Sequence, residues 1–161
     1  MPADVVRFEQ VSSQTAHKLL ATARALGQAE RAGHRDQSLR GKNLALLTPS
    51  PGPAATLFVS AVEQLGAKAS RVGEDLLAVN DPHELQRLAH VLDRLYDAVE
   101  CQGVSPGTVQ RLSDLATVPV FDGIASDTNP TAPLADQLAD CGSHADGRRW
   151  ILQAALLLTI V

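Results

Sequence analysis

The chain has 161 residues, enough to bury a core without disulfide or metal staples, and 45% of them are hydrophobic against 20% charged, which excludes a disordered segment. A formal charge of −4, with no Lys/Arg cluster interleaved with aromatic residues, argues against a nucleic-acid surface or an anionic-membrane footprint. Cys101 and Cys141 form no C-x-x-C pair and no signal peptide is read at "MPADVVRFEQ", so a cytoplasmic protein with reduced thiols is expected. The apolar tail "WILQAALLLTIV" is too short to span a bilayer and carries Gln153, which makes it a buried helix.

In chain order, apolar residues at Ala16, Leu19, Leu20, Ala23 and Leu26 recur at a helical period behind a cap at Ser12 or Ser13. The polar connector "HRDQSLRGK" leads to the short apolar run 43–48, read as a buried parallel strand. The helix "AATLFVSAVEQLG" closes on Gly66, a suitable residue just past a helix end, and 67–73 reads as a second strand. A loop over 73–82 hands over to a helix capped by Asp81 with Pro82 in its first position. The third strand is 97–101, followed by a helix capped by Ser105, and the fourth strand is 118–123. "PTAPLADQLAD" reads as a helix opening at Pro130, "CGSHADG" as a break, and "RRWILQAALLLTIV" as the final helix. Strands alternating with helices imply an α/β fold: a single domain, residues 1–161, with a four-stranded parallel sheet covered by helices on both faces.

The series resembles the carbamoyl-phosphate domain of the aspartate/ornithine carbamoyltransferase family, the ornithine branch in particular. "SLRGKNLALL" resembles the family's entry into its first strand. "RLAHVLDRLYDAVECQG" resembles its third helix and strand, and "LATVPVFDGIASDTNPTAPLADQLAD" the stretch that ends His-Pro-Thr-Gln, x-Leu-Ala-Asp. These segments fall within residues 1–140. "HADGRRWILQAALLLTIV" (144–161) resembles the family's last helix, which follows an Ala-Glu-Asn-Arg pattern and packs back on this first domain. The resemblance thus implies a carbamoyltransferase N-terminal-domain-like fold closed by a C-terminal helix, with the amino-acid-binding domain between them absent.

The resemblance also implies what the ligand site should contain. The family holds carbamoyl phosphate with Ser-Thr-Arg-Thr-Arg at a helix N-terminus, and here Ser50, Pro51, Gly52, Pro53, Ala54 and Ala55 occupy that place, in a register good to about one position. Gln102 stands for an Arg, Asn129 for the His of His-Pro-Thr-Gln and Ala132 for its Gln, while Pro130 and Thr131 match. A loop that the family lends to a neighbouring subunit falls at 79–81 without a basic residue. Carbamoyl transfer develops charge on phosphate and carbonyl, so fixed cations carry it. At roughly 1.5–3 kcal/mol for each charge-assisted hydrogen bond, three lost arginines remove on the order of 5–9 kcal/mol. The prolines delete two further N–H donors.

The expectation is a pseudoenzyme with no catalytic residue, a vestigial cleft at these ten positions, no metal and no cofactor. Family resemblance implies a homo-oligomer, a trimer by preference, or a place beside a true carbamoyltransferase subunit. Two alternatives stand: a small-molecule-binding domain reusing the cleft, or a residual transferase completed by a partner chain. Cys101 is expected to be buried and inert, His83 and His90 to be solvated helix surface, and Trp150 to anchor the last helix. The surface over 134–141 is expected to be polar.

Overall fold

The computed structural model describes residues 11–72 and 81–161. The expected strand ends and loop at 73–80, with the first part of the 79–81 loop, lie outside these residues, as do residues 1–10. Helix α1 spans Ser13–Arg31, and of its two candidate caps it uses Ser12, whose hydroxyl accepts from the Thr15 N–H at 3.1 Å. Strand β1 (Asn43–Leu47) leads to α2 (Pro53–Gln64), and β2 (Lys68–Arg71) follows. Gly66, at φ +90°, supplies the left-handed residue that ends α2. Helix α3 (Pro82–Leu95) starts from Asp81, whose carboxylate accepts from the His83 N–H at 2.9 Å, with Pro82 in the first turn. Strand β3 (Ala98–Cys101), α4 (Pro106–Leu115) with its cap at Ser105, and β4 (Val120–Asp122) complete the alternation.

The four strands are all parallel and lie in the order β2-β1-β3-β4. Side chains alternate across this sheet and so divide the core. Leu44, Leu46, Ala98 and Phe121 pack with α1, α2 and the last helix. Ala45, Leu47, Val99 and Val120 pack with α3 and α4. The edge strand β2 is largely exposed, which explains why its apolar signal was weaker than that of β1.

Two expectations near the C-terminus are corrected. "PTAPLADQLAD" is not an α-helix opening at Pro130: it holds a 3₁₀ helix, Ala132–Leu138. Pro133 has no N–H with which to reach the Asn129 carbonyl in α-helical fashion, and Ala132 N–H fills that carbonyl instead at 2.9 Å, one residue earlier. The last helix, α5, runs His144–Ile160 and so begins inside the expected break. Ser143 and Asp146 form a reciprocal capping box that outweighs the two glycines of "CGSHADG".

Residues 139–143 alone separate the 3₁₀ helix from α5, which packs on α1, α2 and the 3₁₀ helix. The contact is close. A Cβ on Gly147 would meet the Ala135 carbonyl oxygen at 3.1 Å, and the Trp150 ring lies between Gly27 and Gly142, where added Cβ atoms would fall 3.2 and 2.7 Å from it. Trp150 is buried as expected and donates its indole N–H to Glu30 at 2.7 Å. Arg149 forms a two-pronged pair with Glu30, both contacts 3.0 Å, and adds Gln64 and Asp146. Across 134–141, Ala135, Leu138 and Cys141 turn inward, while Asp136, Gln137 and Asp140 face solvent. His83 and His90 are exposed on α3.

Candidate functional site

In an open parallel sheet, a crevice forms where chain connections leave two neighbouring strands in opposite directions. Here the chain passes from β1 outward to β2 and then back across to β3, so the crevice lies at the carboxyl ends of β1 and β3. An open cleft of about 630 Å³ occupies that place. Its walls are the 48–54 segment after β1, the 101–103 turn after β3 and the 122–130 loop after β4.

Six of the ten residues singled out from the sequence line this cleft: Ser50, Gly52, Pro53, Ala54, Gln102 and Asn129. Four do not. Pro51 and Ala55 line a second hollow beyond α2, while Thr131 and Ala132 are buried behind the wall. Helix α2 turns its N-terminus to the cleft, with Gly52 as a cap that has no side chain to offer and Pro53 without an N–H. Asn129 spends its carbonyl on the Thr131 N–H (3.0 Å) and hydroxyl (2.7 Å), a local turn rather than an outward contact. Among the described residues that line the cleft there is no Lys, Arg or His.

Glu100 is the group that the sequence reading passed over. It is 0% exposed, in a strand otherwise made of Ala, Val and Cys, and faces the same side of the sheet as Ala98. Its carboxyl accepts from the Ile124 and Ala125 N–H groups, both at 3.1 Å, and from the Gln102 amide at 3.2 Å. Gln102 also donates to the Ala54 carbonyl at 3.1 Å. The buried carboxyl therefore joins the 101–103 turn to the 122–130 loop, and Gln102 carries the link on to the 48–54 segment. Burial pushes its pKa up to about 7, against the opposing pull of these N–H donors. The signal available in sequence was a lone acid in a central strand, a residue type almost never fully buried without a partner.

From the other side, Arg148 donates to the carbonyls of Ala125 and Ser126, both at 3.1 Å, and so fastens α5 to the same loop. Cys101 is fully buried, and its thiol is raised well above the ordinary range by burial first and then by the Glu100 and Asp122 carboxyls. It is not a thiolate nucleophile. Among the described residues no three His, Cys, Asp or Glu side chains converge as a metal set, and no helix is long and apolar enough to cross a membrane.

The sheet order, its crevice and the helix opening onto it define an open α/β protein with a cleft at a topological switch point. Residues 3–139 match the family described as aspartate/ornithine carbamoyltransferase, carbamoyl-P binding domain, and the chain belongs to that family. It is similar to the ornithine carbamoyltransferase of Haemophilus influenzae (strain PittGG), 36% identical over 122 residues, covering 74% of this chain and 36% of the relative. It is also similar to the catabolic ornithine carbamoyltransferase of Pseudomonas putida, 30% identical over 145 residues, 89% of this chain and 43% of the relative. The fold superposes on the ornithine carbamoyltransferase from Pyrococcus furiosus with a TM-score of 0.68 at 26% identity, covering 79% of this chain and 41% of that one. The catalytic subunit of M. jannaschii aspartate transcarbamoylase gives 0.66 at 19% identity, 86% of this chain and 47% of that one, a likeness of fold. The chain thus spans less than half the length of these relatives.

Proposed function

We propose that this chain is a non-catalytic member of the carbamoyltransferase family, a cytoplasmic pseudoenzyme whose carbamoyl-phosphate domain serves as an oligomeric interaction or assembly module. The observation that carries this reading is the lining of the cleft. The place that resemblance assigns to the family's dianion is a cleft here, but one that holds no cation among its described residues, and its helix N-terminus opens Gly52-Pro53. Without a fixed positive charge, neither the phosphate nor the developing oxyanion of carbamoyl transfer has a counterpart. We read α5 as the family's closing helix, because its Ala145-Asp146-Gly147-Arg148 follows the expected pattern and Arg148 grips the cleft loop.

As an assembly module the protein forms a homo-oligomer, with a trimer favoured, or joins a true carbamoyltransferase. Analytical ultracentrifugation, together with an assay for carbamoyl transfer to ornithine and to aspartate, tests the proposal. It predicts an oligomer with no product from either acceptor. Product from the purified chain overturns it, and product only in a mixture with an active carbamoyltransferase supports instead a transferase completed by a partner.

A second reading, a small-molecule-binding domain that reuses the cleft, draws on the cleft's persistence. Its walls are held by Glu100, Gln102 and Arg148 although no cation lines it among the described residues.

A further inference from the structure

The cleft is not merely neutral. Asp122, at the carboxyl end of β4, is the one charged side chain among the described residues that line it. Asp122 is exposed to the cleft and makes no side-chain hydrogen bond or ion pair within the described residues. Partial burial raises its pKa, the mark of a carboxylate held without a counter-charge. Two guanidinium groups touch the segments that frame the cleft, but both are turned to other hollows. Arg71 donates to the Thr48 and Pro49 carbonyls and lines the hollow beyond α2. Arg148 holds the Ala125 and Ser126 carbonyls, lies 3.5 Å from Asp127, and lines the hollow on the α5 side.

The remaining hydroxyl and amide side chains at the wall are uncharged: those of Thr48, Ser50, Ser126 and Thr128, with Gln102 and Asn129. Hydroxyl oxygens accept hydrogen bonds as readily as they donate them, so they suit an ammonium head as well as a neutral one. The N-terminus of α2 still presents Ala54 to the cleft, a first-turn residue whose N–H has no helical acceptor. Such a pole favours a carbonyl oxygen.

We propose that the cleft is a binding site for a small organic ammonium ion that also carries a carbonyl group, with Asp122 as the counter-charge to the ammonium and the α2 N-terminus facing the carbonyl. The proposal rests on the reading above that the cleft has ceased to be an anion site, and it reverses the sign of the ligand rather than abandoning the cleft. A loss of the phosphate-binding cations would account for an empty crevice. Asp122 adds to that crevice a negative charge that no cation among the described lining residues offsets, between walls that are still cross-braced.

The test is a titration of the full chain, ¹⁵N-labelled, with glycinamide at neutral pH, followed by two-dimensional NMR. Acetamide, which lacks the ammonium, and inorganic phosphate are the comparison ligands. Saturable shifts of the Gly103, Gly123 and Ser126 amides with glycinamide, and none that saturate with acetamide, are expected. Asp122→Asn should weaken glycinamide binding about tenfold or more. Asp114→Asn, in the last turn of α4 and outside the lining of the cleft, makes the same change in net charge and should leave binding unaltered. Equal response to acetamide, an unaffected Asp122→Asn variant, or no saturable glycinamide shift overturns this proposal. Saturable phosphate binding at the same amides overturns it together with the anion-free reading on which it rests. Silence towards both ligands overturns this proposal alone.

Discussion

The clamp that α5 makes with α1 and the cleft at the carboxyl edge of the sheet are built from comparable parts, each with a helix N-terminus and polar side chains, yet they are furnished in opposite ways. At the clamp every group has a partner. Ser143 and Asp146 complete a capping box, Arg149 pairs with Glu30 in two contacts, and Trp150 adds its N–H to the same carboxylate. At the cleft the helix starts from a glycine without a side-chain cap, the next residue lacks an N–H, and Asp122 has no counter-charge within the described residues. Folding needs the first set, because α5 covers an apolar face whose exposure would be unfavourable. Folding does not need cations in an open crevice, so under the function proposed here those positions were free to change.

Substitutions that interrogate the two regions should separate accordingly. The largest effect belongs to the clamp. Trp150→Ala empties a slot shaped by Gly27 and Gly142 and removes a hydrogen bond to Glu30, and it should cost about 3–5 kcal/mol in urea unfolding. A loss below about 1 kcal/mol would show that α5 is not integral to the core.

Glu100 comes next, on the boundary between the regions. Its folded-state pKa of about 7 lies above the ordinary 4.5, so the native state holds the proton more tightly than the unfolded chain does. Its contribution is fully present below the unfolded value and is lost as pH rises through about 7. The interval corresponds to on the order of 3 kcal/mol. Unfolding free energies across this window should therefore fall with rising pH by more in the parent chain than in Glu100→Gln. Identical slopes would contradict a buried, titrating carboxyl.

Arg149→Met should have a smaller effect, about 1–2 kcal/mol. The guanidinium is largely buried, but the Glu30 left behind has 46% of its side chain exposed and can turn to water. The Glu30 carboxyl is held below its ordinary range chiefly by the hydrogen bond from Arg149. The arginine's stabilisation should accordingly be present at neutral pH and disappear as pH falls through that lowered value, which a pH series on the pair of proteins would detect.

The smallest effect belongs to the cleft. Gly52 has no atom within 4 Å of an added Cβ and an extended φ of −140°. Gly52→Ser should therefore fold normally and gain a few tenths of a kcal/mol by supplying the missing cap. A clear loss of stability, read as a lower Tm, would mean that the loop is structurally constrained after all.

How much of this was legible in the sequence follows from where each signal resides. The alternation of elements was readable because apolar periodicity is local, and caps such as Asp81 and Ser105 announce themselves by residue type. The start of α5 was not, because a capping box between Ser143 and Asp146 competes with glycines whose effect depends on what packs against them. The 3₁₀ helix turned on one missing N–H at Pro133 within a sequence that otherwise matches a helix. At the site, residues 50–55, Gln102 and Asn129 were found through resemblance, and the structure brings all of them but Pro51 and Ala55 to one crevice. Thr131 and Ala132 share the same stretch of sequence but fall behind the wall. Glu100 and Asp122 went unnoticed as site components because a carboxylate's meaning depends on burial and on missing partners, neither of which is local.

The most direct test of the central claim is a calorimetric titration of the purified chain with carbamoyl phosphate at millimolar concentration, paired with a thermal-shift measurement. The account predicts no saturable heat and no rise in Tm. Saturable binding that inorganic phosphate displaces would contradict it, because a dianion would then have found a cationic partner that the cleft's described walls do not contain.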